Sequence, residues 1–95
     1  MNANTEQQKI IKWFVANGGI GYLMKTTNQR GMLDIIGFLP PDGKAFLIEE
    51  KYKNDTLKPI QKFQIERLRK IGVPCFVVKT FKDFERQILD YLEMD

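Results

Sequence analysis

A turn between two apolar segments is the feature of this sequence that most restricts its fold. Pro40-Pro41-Asp42-Gly43 brings together residues that favour tight turns, and it separates the strand-like segments Met32–Leu39 and Lys44–Tyr52. Two such segments joined by a short turn form an antiparallel hairpin. The sequence therefore predicts a hairpin over residues 32–52, and the other elements have to pack around it.

Further elements precede and follow the hairpin. Apolar spacing predicts helices over residues 5–16, 59–71 and 81–92, and composition predicts strands over Gly21–Thr26 and Val73–Lys79. The order α-β-β-β-α-β-α contains a strand-helix-strand unit, and such crossovers are right-handed in nearly all proteins. We expect a single α/β domain over residues 1–95, with a mixed sheet flanked by helices on both faces.

Two of the predicted helices have a clear apolar stripe. The side chains expected to face the core are Ile10, Ile11, Phe14 and Val15 in the first helix, and Phe84, Ile88, Leu89 and Leu92 in the last. Two pairs at capping-box spacing, Thr5 with Gln8 and Thr80 with Asp83, predict where these helices begin.

The chain contains no histidine and a single cysteine, Cys75. The lack of histidine excludes a Ser-His triad, a histidine base and histidine-bound zinc. One cysteine can form neither an internal disulfide nor a structural zinc site, and in its apolar run Cys75 is expected to be a buried core thiol. Any metal would have to be bound through oxygen, which favours magnesium, manganese or calcium.

The net charge of +3 is unevenly distributed. Lys44–Lys70 contains eight basic and four acidic residues, whereas Phe81–Asp95 contains two and five. A basic middle fits a polyanionic partner on one side of the molecule. No apolar run approaches the roughly 20 residues that span a bilayer, and the N-terminal sequence does not resemble a signal peptide. We expect a cytoplasmic protein that does not contact a membrane; an origin in a phage, with action inside a host cell, stays open.

The second strand of the hairpin brings a carboxylate and an amine to one side. Alternate side chains of a strand face the same way, so Glu49 and Lys51 share a face. Asp34, on the partner strand, has apolar neighbours, where a charge is costly unless it is paired or metal-bound. Two carboxylates can hold a cation that activates water, and a lysine can offset charge in a phosphoryl transition state. The main-chain carbonyl of Glu50 is placed to add a neutral ligand.

Each of these features also has a less specific interpretation. A Glu-x-Lys pair on a strand is commonly a solvated ion pair, and an aspartate in an apolar strand is commonly hydrogen-bonded or at a strand end. The carboxylate of Glu50 lies on the other strand face, either as a partner of Lys44 or Lys53 or as a solvated side chain. Asp34 and Glu49 on adjoining segments across a clear turn favour the catalytic interpretation.

Three short motifs follow one another along the chain, G-x-x-D-I-I-G at Gly31–Gly37, F-L-I-E-E-K at Phe46–Lys51 and L-K-P-I-Q at Leu57–Gln61. In this order they resemble the virus-type replication-repair nuclease (VRR-NUC) domain of the PD-(D/E)xK superfamily. The resemblance implies a restriction-endonuclease-like core. Leu33 replaces the usual proline before the aspartate, and Glu50 replaces the usual apolar residue within E-x-K.

The resemblance also implies roles for individual residues. It assigns catalysis to Asp34, Glu49, Lys51 and Gln61, and metal binding to Asp34, Glu49 and Glu6. Together with the carbonyl of Glu50, these acids are expected to bind Mg²⁺ or Mn²⁺. Glu6 precedes Ile10 by four residues and can share its inward face; a charge that favours the helix N-terminus is the alternative. A plain helix-surface glutamine is the alternative for Gln61. Phosphate contacts are predicted for Arg30, Lys53, Lys58 and Lys62, each with a solvated side chain as the alternative.

The expected function is a metal-dependent DNA endonuclease that hydrolyses phosphodiester bonds in structured DNA. Four-way junctions or flaps are the expected substrates, in replication, recombination or repair, and two symmetric incisions call for a homodimer. The first alternative is a non-catalytic nucleic-acid-binding module, although its two acids would repel phosphate in the absence of metal. The second is an interaction domain that uses its acidic C-terminal helix, and DNA affinity at moderate salt would argue against it.

Overall fold

A computed structural model describes residues 4–24, 30–52 and 54–94. Its elements in chain order are α1 (Asn4–Ala16), β1 (Ile20–Leu23), β2 (Ile35–Leu39), β3 (Lys44–Glu50), α2 (Pro59–Lys70), β4 (Cys75–Val78) and α3 (Phe81–Glu93). The predicted order α-β-β-β-α-β-α is confirmed. Within the described ranges, no helix is both long and apolar enough to cross a membrane.

The four strands form one mixed sheet in the order β1-β2-β3-β4. The predicted hairpin is confirmed, since β2 and β3 pair antiparallel with Ile35 opposite Ile48. β1 pairs antiparallel with β2, and β3 runs parallel to β4 with α2 as the crossover. β2 begins three residues later than predicted, so Asp34 lies immediately before this strand.

An apolar core fills each face of the sheet, and the alternation of β3 separates the two. On one face, Phe46 and Ile48 pack with residues of α1 and α3, which include Ile10, Phe14, Phe84 and Ile88. On the other face, Leu47 packs with Leu33, Ile65 of α2 and Cys75. Cys75 is a buried thiol as predicted, and burial raises its pKa. The alternation of β3 also directs Glu49 toward the α2 face.

Gly37 allows α1 to lie directly on the sheet. A Cβ atom at Gly37 would come within 2.4 Å of carbon atoms of the Phe14 ring, which is itself fully buried. The absence of a side chain at this position therefore sets the distance between α1 and β2.

The prediction that Val15, Leu89 and Leu92 face the core is wrong. Val15 is 58% exposed, and Leu89 and Leu92 are each 44% exposed. In α3 the core position is taken by Tyr91 instead, which packs edge-to-face on Phe46 and Phe76. Because the Tyr91 ring occupies the side of α3 that faces the sheet, Leu89 and Leu92 on the neighbouring stripe remain exposed.

The two predicted helix starts differ in outcome. Thr80 is the N-cap of α3, and its hydroxyl accepts a 3.1 Å hydrogen bond from the Asp83 N–H as predicted. The prediction for Thr5 is wrong, because α1 already begins at Asn4 and Thr5 lies within its first turn.

Candidate active site

Asp34 is held between the main chain of β3 and the first helix. Its Oδ2 accepts a 3.2 Å hydrogen bond from the Glu50 N–H and a long 3.5 Å bond from the Gln7 side chain. Burial raises the pKa of Asp34, although the Glu50 N–H, the Lys51 charge and Gln7 oppose the rise. The carboxylate is thus oriented by neutral donors that keep it available to a cation.

Glu49 lies deep in the site and is 3% exposed. Its Oε2 lies 3.3 Å from the Lys51 Nζ and accepts a 2.9 Å hydrogen bond from the Gln61 amide. The pair is therefore not a solvated surface ion pair, because both side chains are largely withdrawn from water. The predicted common face of Glu49 and Lys51 is confirmed by this contact.

Gln61 links the start of α2 to the Glu49 carboxylate. Its Oε1 accepts a 3.0 Å hydrogen bond from the main-chain N–H of Lys58, the N-cap residue. Since the amide oxygen is bound to the N-cap residue, the amide nitrogen on the other side of the group is directed toward Glu49. Gln61 is thus a bridging side chain and not a plain helix-surface glutamine.

Glu50 projects from the opposite face of β3 and is 8% exposed. The alternative of a solvated side chain is therefore wrong. A partnership with Lys44 is wrong as well, since the Lys44 ammonium lies 5.9 Å from the centre of the Tyr91 ring, at the far end of β3. Lys53, the other predicted partner, lies outside the described residues.

The carboxyl groups of the site are not easily ionised at the same time, because burial and their mutual repulsion raise their pKa values. Burial, and next the Asp34 charge, raise the pKa of Glu49. Burial, followed by the charges of Glu6, Asp34 and Glu49, raises the pKa of Glu50 to about 7. Carboxylates that crowd in this way are stabilised in their charged form by a cation between them.

The donor atoms of the site fit a divalent cation. Within the described part of the chain, Glu49 Oε1 is buried without a hydrogen-bond partner, and so is Glu50 Oε2 on the opposite face of β3. The same ranges contain no group of three acidic or cysteine side chains close enough to hold an ion. An ion here would be bound by one or two carboxylates, with water, a main-chain carbonyl or substrate phosphate completing its shell, which is the pattern of Mg²⁺.

The side chain of Glu6, a residue of α1, reaches the start of α3. Its Oε1 accepts a 2.6 Å hydrogen bond from the Phe81 N–H, and its Oε2 is 3.5 Å from the Lys9 ammonium. A carboxylate is favoured at a helix N-terminus, and Glu6 lies in the first turn of its own helix as well as at the start of α3. Its charge also raises the pKa of Glu50, so Glu6 borders the acidic group, and its role as a metal ligand stays a prediction.

The predicted phosphate contacts lie at the surface around the site. Arg30 is exposed shortly before Asp34, and Lys58 and Lys62 are exposed at the start of α2. Lys53 lies outside the described residues. The exposed positions are compatible with contacts to a nucleic-acid backbone, which stay a prediction.

Sequence reasoning missed Gln7, whose side chain reaches Asp34 across 27 residues of sequence. A signal was available, because Gln7 precedes Ile10 by three positions and residues so spaced share a helix face. The fully buried Ile10 marks that face as the inward one.

Comparison with known proteins fits this geometry. The model of the VRR-NUC domain family matches residues 2–82. A solved structure titled "VRR_NUC domain" has a TM-score of 0.81 and 30% sequence identity to this chain, covering 93% of this chain and 95% of the other. No curated protein matches the chain. The chain therefore belongs to the VRR-NUC family of nuclease domains, within the PD-(D/E)xK superfamily.

Proposed function

We propose that this protein is a divalent-metal-dependent DNA endonuclease that hydrolyses phosphodiester bonds in structured DNA. The observation that carries the proposal is the state of the Glu49 carboxylate. One of its oxygens is paired with Lys51 and Gln61, while among the described residues the other is buried without a partner. A purely structural ion pair has no need for such a free oxygen beside Asp34.

Asp34 and Glu49 are the proposed side-chain ligands of Mg²⁺ or Mn²⁺, with the Glu50 carbonyl as a neutral ligand. Glu6 is proposed to reach the ion through bound water, because no three acidic side chains among the described residues lie close enough to share one ion. When bound, the ion supplies an activated water and polarises a phosphate oxygen. Gln61 keeps Glu49 oriented, because its amide is itself fixed by the α2 N-cap. The Glu50 N–H and Gln7 do the same for Asp34.

Lys51 is the proposed cationic group of the reaction. Its ammonium lies 3.3 Å from Glu49 on the strand face that looks toward α2. From this position it can orient the attacking water and offset the charge that develops on the phosphoryl oxygens. Its partner carboxylate holds it in place before substrate enters.

Structured DNA, such as four-way junctions or flaps, is the proposed substrate. Arg30, Lys58 and Lys62 are exposed and are proposed to contact the phosphate backbone together with Lys53. Such contacts position a protein on DNA without reading its sequence. A homodimer would supply the two equivalent sites needed for symmetric incisions.

A cleavage assay tests the proposal. Wild-type protein, Asp34→Asn and Asp42→Asn would be incubated with duplex, flap and four-way-junction DNAs, with and without Mg²⁺ or Mn²⁺. Asp42 is the matched control, because it is an exposed aspartate in the turn at the other end of the hairpin. We expect metal-dependent cleavage by wild type and Asp42→Asn, and none by Asp34→Asn.

Two results would contradict the proposal. Equal cleavage by Asp34→Asn would place the reaction elsewhere or reveal a contaminating nuclease. Binding of branched DNA without cleavage under any metal condition would favour the non-catalytic nucleic-acid-binding module.

A further inference from the structure

The two acids proposed to share a metal are placed by different parts of the chain. Glu49 lies within β3, where it is paired with Val77 of β4 and directly follows Ile48, which is paired with both neighbouring strands. Asp34 instead ends an irregular segment, residues 30–34, that precedes β2. Asp34 itself is tied to its neighbours, because the Glu50 N–H donates to its carboxylate and the Met24 N–H donates a 2.7 Å bond to its carbonyl. The rest of the segment requires a further contact to hold it in line with β3.

Gln64 provides a contact from α2 to that segment. It is 4% exposed, and its side-chain amide donates a 3.1 Å hydrogen bond to the main-chain carbonyl of Arg30, across 34 residues of sequence. Gln64 follows Gln61 by three positions, so the two side chains lie on the same side of α2. One helix face thus holds both the Asp34 segment and the Glu49 carboxylate.

The packing around Gln64 shows how closely the segment follows the helix. Gly31 has a φ of +77°, and a Cβ atom there would lie 2.9 Å from main-chain atoms of Ile60. Leu33, which is almost fully buried, packs in the same apolar cluster as Ile65. The backbone of the segment therefore lies against the first turns of α2.

We propose that Gln64 is a positioning residue of the active site, which fixes the distance between Asp34 and Glu49 through α2. This inference rests on the proposed function of the site. A buried amide is tolerated in an apolar cluster only where it finds a partner, and the partner of Gln64 lies four residues before Asp34. An apolar side chain would fill the same space without setting the position of the Arg30 carbonyl.

The test compares Gln64→Met with Gln87→Met. Methionine keeps the length of glutamine and removes the donor. Gln87, which is half-buried, is the control, because its amide also donates a 3.1 Å bond to a main-chain carbonyl, that of Val77 on β4, beside a second 3.1 Å bond to Asp83. The dissociation constant for Mn²⁺ would be measured by calorimetry without DNA, together with urea unfolding in EDTA and the KM and kcat for cleavage.

We expect Gln64→Met to bind Mn²⁺ about tenfold more weakly, the lower end of the range for residues that support metal ligands. Its kcat at a fixed, subsaturating Mn²⁺ concentration should fall while the KM for DNA stays unchanged. Gln87→Met should lose comparable stability and keep the Mn²⁺ affinity of wild type.

If Gln64→Met is less stable than wild type but binds Mn²⁺ with the same affinity, Gln64 supports only the fold, and the inference is overturned. If the methionine variant does not fold, Gln64→Leu replaces it, since leucine is a smaller apolar side chain that also has no donor. Failure of both variants to fold would likewise show that Gln64 serves the fold and not the site. Failure of the wild type to bind Mn²⁺ would instead contradict the proposed function.

Discussion

A buried carboxylate makes the stability of the metal-free protein depend on pH. The pKa of Glu50 is about 7 in the folded protein, against an ordinary value of 4.5. A raised folded pKa means that Glu50 favours folding at low pH, and that this contribution is lost as pH rises from about 4.5 to 7. At about 1.4 kcal/mol per pKa unit, the loss is at most on the order of 3 kcal/mol.

We therefore expect Glu50→Gln to flatten this pH dependence. Urea unfolding in EDTA at pH 5 and pH 7.5 would show wild type losing more stability with rising pH than the variant. Some dependence should persist in the variant, because the pKa values of Asp34 and Glu49 are raised as well. Glu66→Gln, a change at an exposed position of α2, should behave as wild type; parallel curves for wild type and Glu50→Gln would refute this explanation.

Lys51 should affect catalysis far more than DNA binding. Loss of one electrostatic group that acts on the transition state typically lowers the rate by about 10²–10³. We expect a decrease of this size in single-turnover cleavage by Lys51→Ala at saturating DNA, with little change in affinity, since exposed cations also surround the site. A variant that binds poorly but cleaves normally when saturated would make Lys51 a phosphate anchor only.

Strand alternation, at the scale of single residues, was enough to predict that Glu49 and Lys51 share a face. The supporting amides were predictable only in part, because spacing from Ile10 places Gln7 on the inward face of α1 but does not identify its partner. Gln7 and Gln64 meet their partners across 27 and 34 residues of sequence, and no local pattern reports contacts that depend on how α1 and α2 dock. The burial of Glu50 also depends on the helices that cover the sheet.

Among the elements, the closeness of α1 to β2 predicts a sharp difference between two glycines. A Cβ atom at Gly37 would lie 2.4 Å from the Phe14 ring, whereas one at Gly21 would lie 3.4 Å from Ile11, an ordinary contact. Overpacking a core typically costs about 1–3 kcal/mol. We expect Gly37→Ala to lower the free energy of unfolding by this amount, and Gly21→Ala to change it little; equal effects in urea unfolding would show that α1 moves to accommodate the methyl group.

Element order and the hairpin were predictable because turn residues and apolar periodicity are local signals. The choice between adjacent apolar stripes of α3 was not. Leu89 and Leu92 form one stripe, but the core side of the helix is set by Phe84, Ile88 and Tyr91. Which stripe is buried depends on the rings of Phe46 and Phe76 on the sheet, and these are distant in sequence.

The whole molecule presents apolar side chains that its own core does not use. On α3 these are Leu89 and Leu92, with Met94 just beyond the helix, and on α2 they are Ile60 and Phe63. Clusters of exposed apolar groups commonly mark protein interfaces. Because α2 and α3 cover opposite faces of the sheet, one of these two groups would lie in the interface of the predicted homodimer and the other would not.

Light scattering at micromolar concentration, on free protein and on a complex with a four-way junction, measures the assembly. We expect the mass of a dimer, twice the 11.1 kDa of one chain. Phe63→Ser and Leu89→Ser remove one large apolar group each from α2 and α3, so the variant that lies in the interface should shift toward the monomer. Because one site cuts one strand per visit, one chain in the free sample and one chain per junction in the complex would contradict paired incision. That result would favour a nuclease that nicks or removes flaps.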